Sequence, residues 1–143
     1  MKHKELPCFF LIMCGIVFIF PSCKPRYTVN GHVTITNECT RDFVPPKILK
    51  IEIWVYSADS QKVTGVHGET DENKDFSLDA QTEFDADHWK LDKVLDKDGH
   101  YICPASKCPA DSLKCIDVAD NSKIYKMTEK GDIKIECKCR PGH

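Results

Sequence analysis

The sequence predicts a mainly β chain, folded as an antiparallel two-layer sandwich with a disulfide-pinned C-terminal loop region. Three observations predict it. Apolar residues recur with a period of two rather than 3.6 in most of the patterned segments. No segment sustains a helical period. Cys39, Cys103, Cys108, Cys115, Cys137 and Cys139 are spread over the chain, five of them in its last third. With 143 residues, 41% of them apolar and 29% charged, the chain has the makeup of one globular domain. A net charge of −2 with no basic run gives no footing for a nucleic-acid partner, whose phosphates are neutralised by clustered Lys and Arg.

The first element is a leader. Lys2, His3 and Lys4 precede an uncharged apolar run from Leu6 to Phe20. A bilayer span needs about 20 apolar residues, so the run suits the apolar region of a signal peptide over 1–22 better than a permanent anchor. Phe20-Pro21-Ser22-Cys23 closes it, a small residue directly before a cysteine. This resembles the lipobox of bacterial lipoproteins. The resemblance implies that Cys23 becomes the lipidated N-terminus and that acyl chains hold the protein to a membrane of the cell envelope. Each buried CH₂ of such a chain adds about 0.8 kcal/mol, so two or more chains anchor without a spanning helix. The alternative is ordinary signal-peptidase cleavage near Ser22 and a secreted product.

The cysteines fit an exported chain. Of nine, Cys8 and Cys14 fall in the leader and Cys23 is the lipid site; the remaining six are an even number that an oxidising compartment would close as disulfides. Six cysteines allow fifteen pairings, and the sequence leaves the choice open. Cys137 and Cys139 stand two apart in a strand-like run, so they share a face and do not comfortably bond each other. Each is expected to reach Cys39 or one of Cys103, Cys108 and Cys115. The weaker alternative is a thiolate metal site, with Cys-x-Cys and His143 as ligands, but paired Cys-x₂-Cys knuckles are missing.

The body follows in order. Cys23–Arg26 is a short tether, and 27–143 is one domain. Tyr27–Asn37 alternates, with Val29, Gly31, Val33 and Ile35 on one face and Thr28, Asn30, His32, Thr34 and Thr36 on the other. Pro45-Pro46 cannot donate backbone hydrogen bonds and precede a second strand over Ile48–Ser57. Phe76–Ala80 alternates again. Glu83–Leu95 has room for a helical turn, because Trp89, Leu91 and Val94 fit either period. Cys103–Asp120, with its prolines and small polar residues, is expected to be loop. Ile124–Thr128 and Gly131–Cys139 are strands, with Glu129-Lys130-Gly131 as the turn of a hairpin.

Val29-x-Gly31-x-Val33 and, some forty residues later, Thr70-Asp71-Glu72-Asn73-Lys74-Asp75-Phe76-Ser77-Leu78 together resemble the carboxypeptidase-regulatory-like, or transthyretin-like, β-sandwich. The resemblance spans about residues 28–80. It implies a sandwich of transthyretin-like or immunoglobulin-like kind with an accessory binding role and no catalytic residues. Lys74 stands where that family usually carries Gly.

Candidate chemistry is sparse. Asp71 and Asn73 can bond their own backbone and tighten a turn. Asp71, Asn73 and Asp75 also have the spacing of the first calcium ligands of an EF-hand, but Phe76 replaces the required glycine and Thr82 the closing carboxylate. Glu83, Asp85 and Asp87 with His88 could gather a metal if they lay along a strand; a solvated acidic loop is the plainer reading. His32 is expected to face solvent and His67 to be buried. Trp54 and Tyr56 share the face opposite Leu49, Ile51 and Ile53. Open to solvent, they form an aromatic platform for a protein or sugar; covered, they belong to a core. No nucleophile–base arrangement stands out, and no cofactor is implied. The sequence therefore points to a lipid-anchored, non-enzymatic binding or envelope-interaction module, with a secreted small-ligand or receptor binder as the alternative.

Overall fold

The computed structural model describes residues 23–37, 44–102, 112–119 and 122–141, with only the backbone course given for 112–119 and 138–141. The leader, with Cys8 and Cys14, and the segments that hold Cys39, Cys103 and Cys108 lie outside these residues.

Eight strands form two four-stranded sheets, and the described residues contain no helix. The strands are β1 (Arg26–Asn37), β2 (Leu49–Tyr56), β3 (Val63–Glu69), β4 (Asp75–Gln81), β5 (His88–Asp96), β6 (Ser112–Ala119), β7 (Ile124–Lys126) and β8 (Gly131–Pro141). One sheet has the order β4-β1-β8-β6 and the other β3-β2-β5-β7. Pairing is antiparallel except between β1 and β8, which run parallel. The first sheet is thus mixed, where the sequence suggested purely antiparallel pairing.

Strict alternation fixes which side of each strand is buried. In β1, Val29, Gly31 and Val33 are buried and their neighbours face outward. In β2, Leu49, Ile51, Ile53 and Val55 are all at 1% exposure or less. These side chains meet Phe76, Leu78 and Ala80 from β4, Trp89, Leu91 and Val94 from β5, and Ile133 and Ile135 from β8 in one cluster drawn from both sheets. Burying a Val, Leu, Ile or Phe side chain contributes about 1.5–3 kcal/mol, so this shared core is the main force joining the layers.

An aromatic stack occupies its centre. Trp89 stacks on Tyr125 at 4.4 Å between ring centroids and meets the edge of Phe76 at 6.2 Å. Room for these rings comes from two glycines. Gly31 and Gly131 are register partners in the parallel β1–β8 pair. A Cβ on Gly31 would lie 2.1 Å from Phe76 Cζ, and one on Gly131 would lie 2.4 Å from Trp89 Cη2. The glycine of the Val-x-Gly-x-Val motif is therefore there for ring packing, not for a turn.

Four expectations are corrected. Glu83–Leu95 holds no helical turn; His88–Asp96 is a strand with a register shift opposite Glu52/Ile53. Ile51 faces Val94 and Ile53 faces Leu91, so one extra residue lies on the β5 side. That bulge lets Leu91 and Val94, three apart, both point inward, which is why the run fitted two periods. Part of the expected loop over 103–120 is strand β6, paired with β8. The Ile124–Thr128 and Gly131–Cys139 strands do not form a hairpin: β7 joins β5 in one sheet and β8 joins β1 in the other. The turn between them, closed by Glu129 N–H to Lys126 C=O at 2.9 Å, is a corner between layers. Tyr125 donates its hydroxyl hydrogen to Asp132 C=O at 2.8 Å across that corner. Finally, His67 on β3 is exposed, not buried.

Two tight turns share one construction. Asp71 Oδ1 accepts from the N–H groups of Asn73 and Asp75, both at 2.9 Å, with Lys74 at φ 64°. Asp96 Oδ1 accepts from those of Asp98 and His100 at 2.9 and 2.8 Å, with Gly99 at φ 86°. In each, a turn is followed by one residue in the left-handed region, as three-residue hairpin loops require. Lys74 adopts there the conformation that glycine adopts at the equivalent place.

Candidate functional site

The outward faces of the two sheets differ in chemistry. On the β4-β1-β8-β6 sheet the described outward residues of β1 and β4 are polar. Thr28 donates to Asp79 at 3.4 Å, and Asp75 meets both His32 at 3.1 Å and Lys130 at 3.2 Å. Lys130 first, and His32 after it, hold the Asp75 carboxyl below the usual aspartate range. The His32 side chain is 40% exposed, in keeping with its outward position.

The other sheet presents aromatic and aliphatic groups. Directly opposed residues of antiparallel strands share a face, so the register defines its rows. Val63, Tyr56, His88 and Lys126 form one row, and Gly65, Trp54, Lys90 and Ile124 the next. Val63 is 47% exposed, Trp54 40% and Ile124 56%. Tyr56 is half-buried and lies flat against His88, at 5.2 Å and 8° between planes. Lys90 Nζ stands 5.6 Å from the Tyr56 ring centroid, within cation–π range. These two rows contain lysines and no carboxylate.

His88 is the fixed point of the face. It is only 8% exposed, its Nδ1 lies 3.0 Å from Asp87 Oδ2, and its Nε2 lies 3.3 Å from Ser60 Oγ. Both ring nitrogens are engaged, so the Tyr56 ring rests on an immobilised support. Trp54 leans over Gly65, where a Cβ would come within 3.0 Å of its Cζ3. The indole thus shields a glycine backbone while leaving part of its surface to solvent. In the next row, Glu52 pairs with Lys93 at 3.0 Å and holds that lysine's pKa above its ordinary value.

Other sequence candidates are dispersed. Glu83 pairs with Lys24 at 2.8 Å, Asp85 accepts from the Tyr27 hydroxyl at 3.4 Å, and Asp87 serves His88. They occupy the β4–β5 connection and not one strand face. In the Asp71–Asp75 turn, Asp71 Oδ1 is used by the backbone N–H groups of Asn73 and Asp75, and the Asp75 carboxylate turns toward His32 and Lys130, so the two carboxylates are engaged separately and do not converge as calcium ligands. Asp96, Asp98 and His100 do bring potential ligand atoms within 4.8 Å, but one Asp96 oxygen already caps its own loop. Neither Val63, Ile124 nor His88 was apparent as a neighbour of Trp54 and Tyr56 from the sequence. The signal that finds them is strand register, which a local pattern does not carry.

Cys23 is exposed and lies just ahead of β1, with Lys24 and Pro25 between them. The tether is fastened to the fold: Pro25 C=O accepts from Thr82 N–H at 3.1 Å, beside the Lys24–Glu83 pair. Cys137 is buried at 2% in the core near the far end of β8. Among the described residues, no helix is long and apolar enough to cross a membrane. No family model matches the chain, and no curated protein or solved structure is significantly similar to it.

Proposed function

We propose that this chain is an exported lipoprotein, anchored through Cys23, whose domain is a non-enzymatic binding module of transthyretin-like type. The observation that carries the binding role is the contrast between the two outer sheet faces. On one, the described outward residues of β1 and β4 are polar, with Asp75 paired to His32 and Lys130 and Thr28 to Asp79. The other leaves Val63, Trp54 and Ile124 partly exposed beside Lys90 and Lys126. Half-exposed aromatic rings on a rigid support bind flat apolar faces, and unopposed lysines favour negative charge. An acidic glycan offers both, and so does an acidic protein surface.

The anchoring role is supported by the short tether. Two residues separate Cys23 from β1, so acyl chains there would hold the domain within about 10 Å of the bilayer surface at about 3.3 Å per residue. Intact mass of the mature chain tests it. Acyl mass on a chain beginning at Cys23 is expected; a mature N-terminus elsewhere refutes the lipoprotein reading. Trp54 emission, followed while carboxylated and neutral oligosaccharides are titrated, tests the face. A saturable change with the carboxylated series, abolished in Tyr56→Ala, is expected; no response to either series rejects a sugar partner.

The secreted alternative would use a different place. An open cleft of about 760 Å³ lies between β1, β4 and the 127–130 corner, lined by Asn30, Glu69, Asp75, Met127 and Lys130 among others. Small-ligand binding that survives Tyr56→Ala but is lost in Asn30→Trp would favour that reading.

A further inference from the structure

We infer that Cys115 and Cys139 are joined as a disulfide between β6 and β8. The inference rests on the export reading, because it needs an oxidising compartment. The sequence left fifteen pairings open. Backbone register singles out one of them. Cys115 and Cys139 are direct Cα partners in an antiparallel ladder. The ladder's irregularity lies between Ser112 and Lys114, and pairing from Cys115 to Ala119 opposite Cys139 to Ile135 proceeds without a slip. Directly opposed residues in such a ladder have Cα atoms about 4.5 or 5.5 Å apart, depending on the hydrogen-bonding site. Both separations fall inside the range of about 4.4–6.8 Å that a disulfide spans.

The alternatives within the same ladder fare worse. Cys137 is opposed by Asp117 on β6 and by Asn37 on β1, not by cysteine. Cys137 and Cys139 sit two apart on one strand, where Cα atoms are about 6.6 Å apart and the Cβ vectors run side by side. The position also has a structural use. Among the described strands β6 is the edge of its sheet, with β8 as its neighbour. A cross-link at this register fastens the edge strand to the centre of the sheet and prevents it from slipping.

The bond forms by exchange. The Cys115 or Cys139 thiolate attacks an external disulfide, of a protein oxidant or a small-molecule disulfide such as oxidised glutathione. The second thiolate then attacks the protein sulfur of the mixed disulfide and expels the remaining external thiol. Two cysteine thiols and one external disulfide give one internal S–S bond and two external thiols.

The tryptic map makes the test direct. Cleavage after lysine and arginine puts each of the six cysteines on its own peptide, with Cys115 on 115–123, Cys137 on 135–138 and Cys139 on 139–143. The full chain, made with its own leader, is alkylated before lysis, recovered from the envelope fraction and digested without reductant. A 115–123 peptide linked to 139–143 is expected. A Cys115 or Cys139 peptide linked to any other partner overturns the pairing and leaves the export reading standing. Full alkylation of all six overturns both. In Cys139→Ser, labelling of Cys115 should rise from background to near stoichiometric; in Cys137→Ser it should stay at background. Labelling of Cys115 in both variants alike overturns the pairing.

Discussion

Replacing Gly131 by alanine tests the physical core of this fold. The added Cβ would stand 2.4 Å from Trp89 Cη2 and 2.6 Å from Cζ2. Carbon atoms rest at about 3.5–4.0 Å, so the ring would have to withdraw by more than about 1 Å. It has nowhere to go: Trp89 is at 0% exposure, stacked on Tyr125 and edged by Phe76. Overpacking of this kind costs about 1–3 kcal/mol, a sizeable part of the 5–15 kcal/mol that typically separates folded from unfolded chains. At this domain size the melting temperature should fall by about 4–15 °C. The remedy is equally specific. Trp89→Phe removes both clashing atoms, and it also removes the Nε1–H donor, which is buried and has no acceptor among the described residues. Urea unfolding of the two single variants and the double variant gives a coupling energy, expected to be favourable by about 1 kcal/mol or more. A Gly131→Ala melting temperature unchanged from the parent, or strictly additive variants, would refute the reasoning.

Further predictions follow from the turns and charges. Lys74→Gly relieves a side chain held at φ 64° and should raise the urea midpoint, by about 0.5–1 kcal/mol in stability. Gly99→Ala, at φ 86° with nothing within 4 Å of the new Cβ, should lower it by about 1 kcal/mol through backbone strain alone. Asp75 and Asp96 both have folded-state pKa values below the usual aspartate value, through the Lys130 hydrogen bond and the His100 N–H respectively. The stability they add is therefore complete above the unfolded value of about 4 and is lost as pH falls through the folded values. Denaturation midpoints measured from pH 7 to pH 2 should decline at the acid end, and Asp96→Asn should flatten that decline. Trp54→Ala should cost under about 1.5 kcal/mol, since the ring is partly exposed; loss of the folded state on that change would mean that the indole is a core group.

The parts of the fold that could be read from sequence are those where alternation is clean. β2 and β4 bury every second residue, β1 does so from Val29 to Val33 and β8 from Gly131 to Cys137, and the boundaries of all four come out within two residues of expectation. β5 was ambiguous because its bulge changes the parity between Leu91 and Val94. β3 gave no apolar signal: it is an edge strand with no fully buried position and two glycines. β6 was obscured by the prolines and cysteines around it. A turn between β7 and β8 is not evidence that they pair; Tyr125 stacks on Trp89, its neighbour in the β3-β2-β5-β7 sheet, and no local rule specifies which sheet a strand joins. The same limit applies to the candidate site. Parity placed Trp54 and Tyr56 on one face, whereas His88 beneath Tyr56 and Ile124 beyond Lys90 arrive from strands far along the chain.

The placement of β8 has a consequence for how the domain is built. The last strand in chain order is inserted between the first strand and β6, in the interior of its sheet. Among the described strands, a nascent polypeptide that stops short of residue 131 leaves β1 with β4 alone and β6 with no neighbour. Completion is then necessarily a late event, joining segments a hundred residues apart, and such non-local closure is slow.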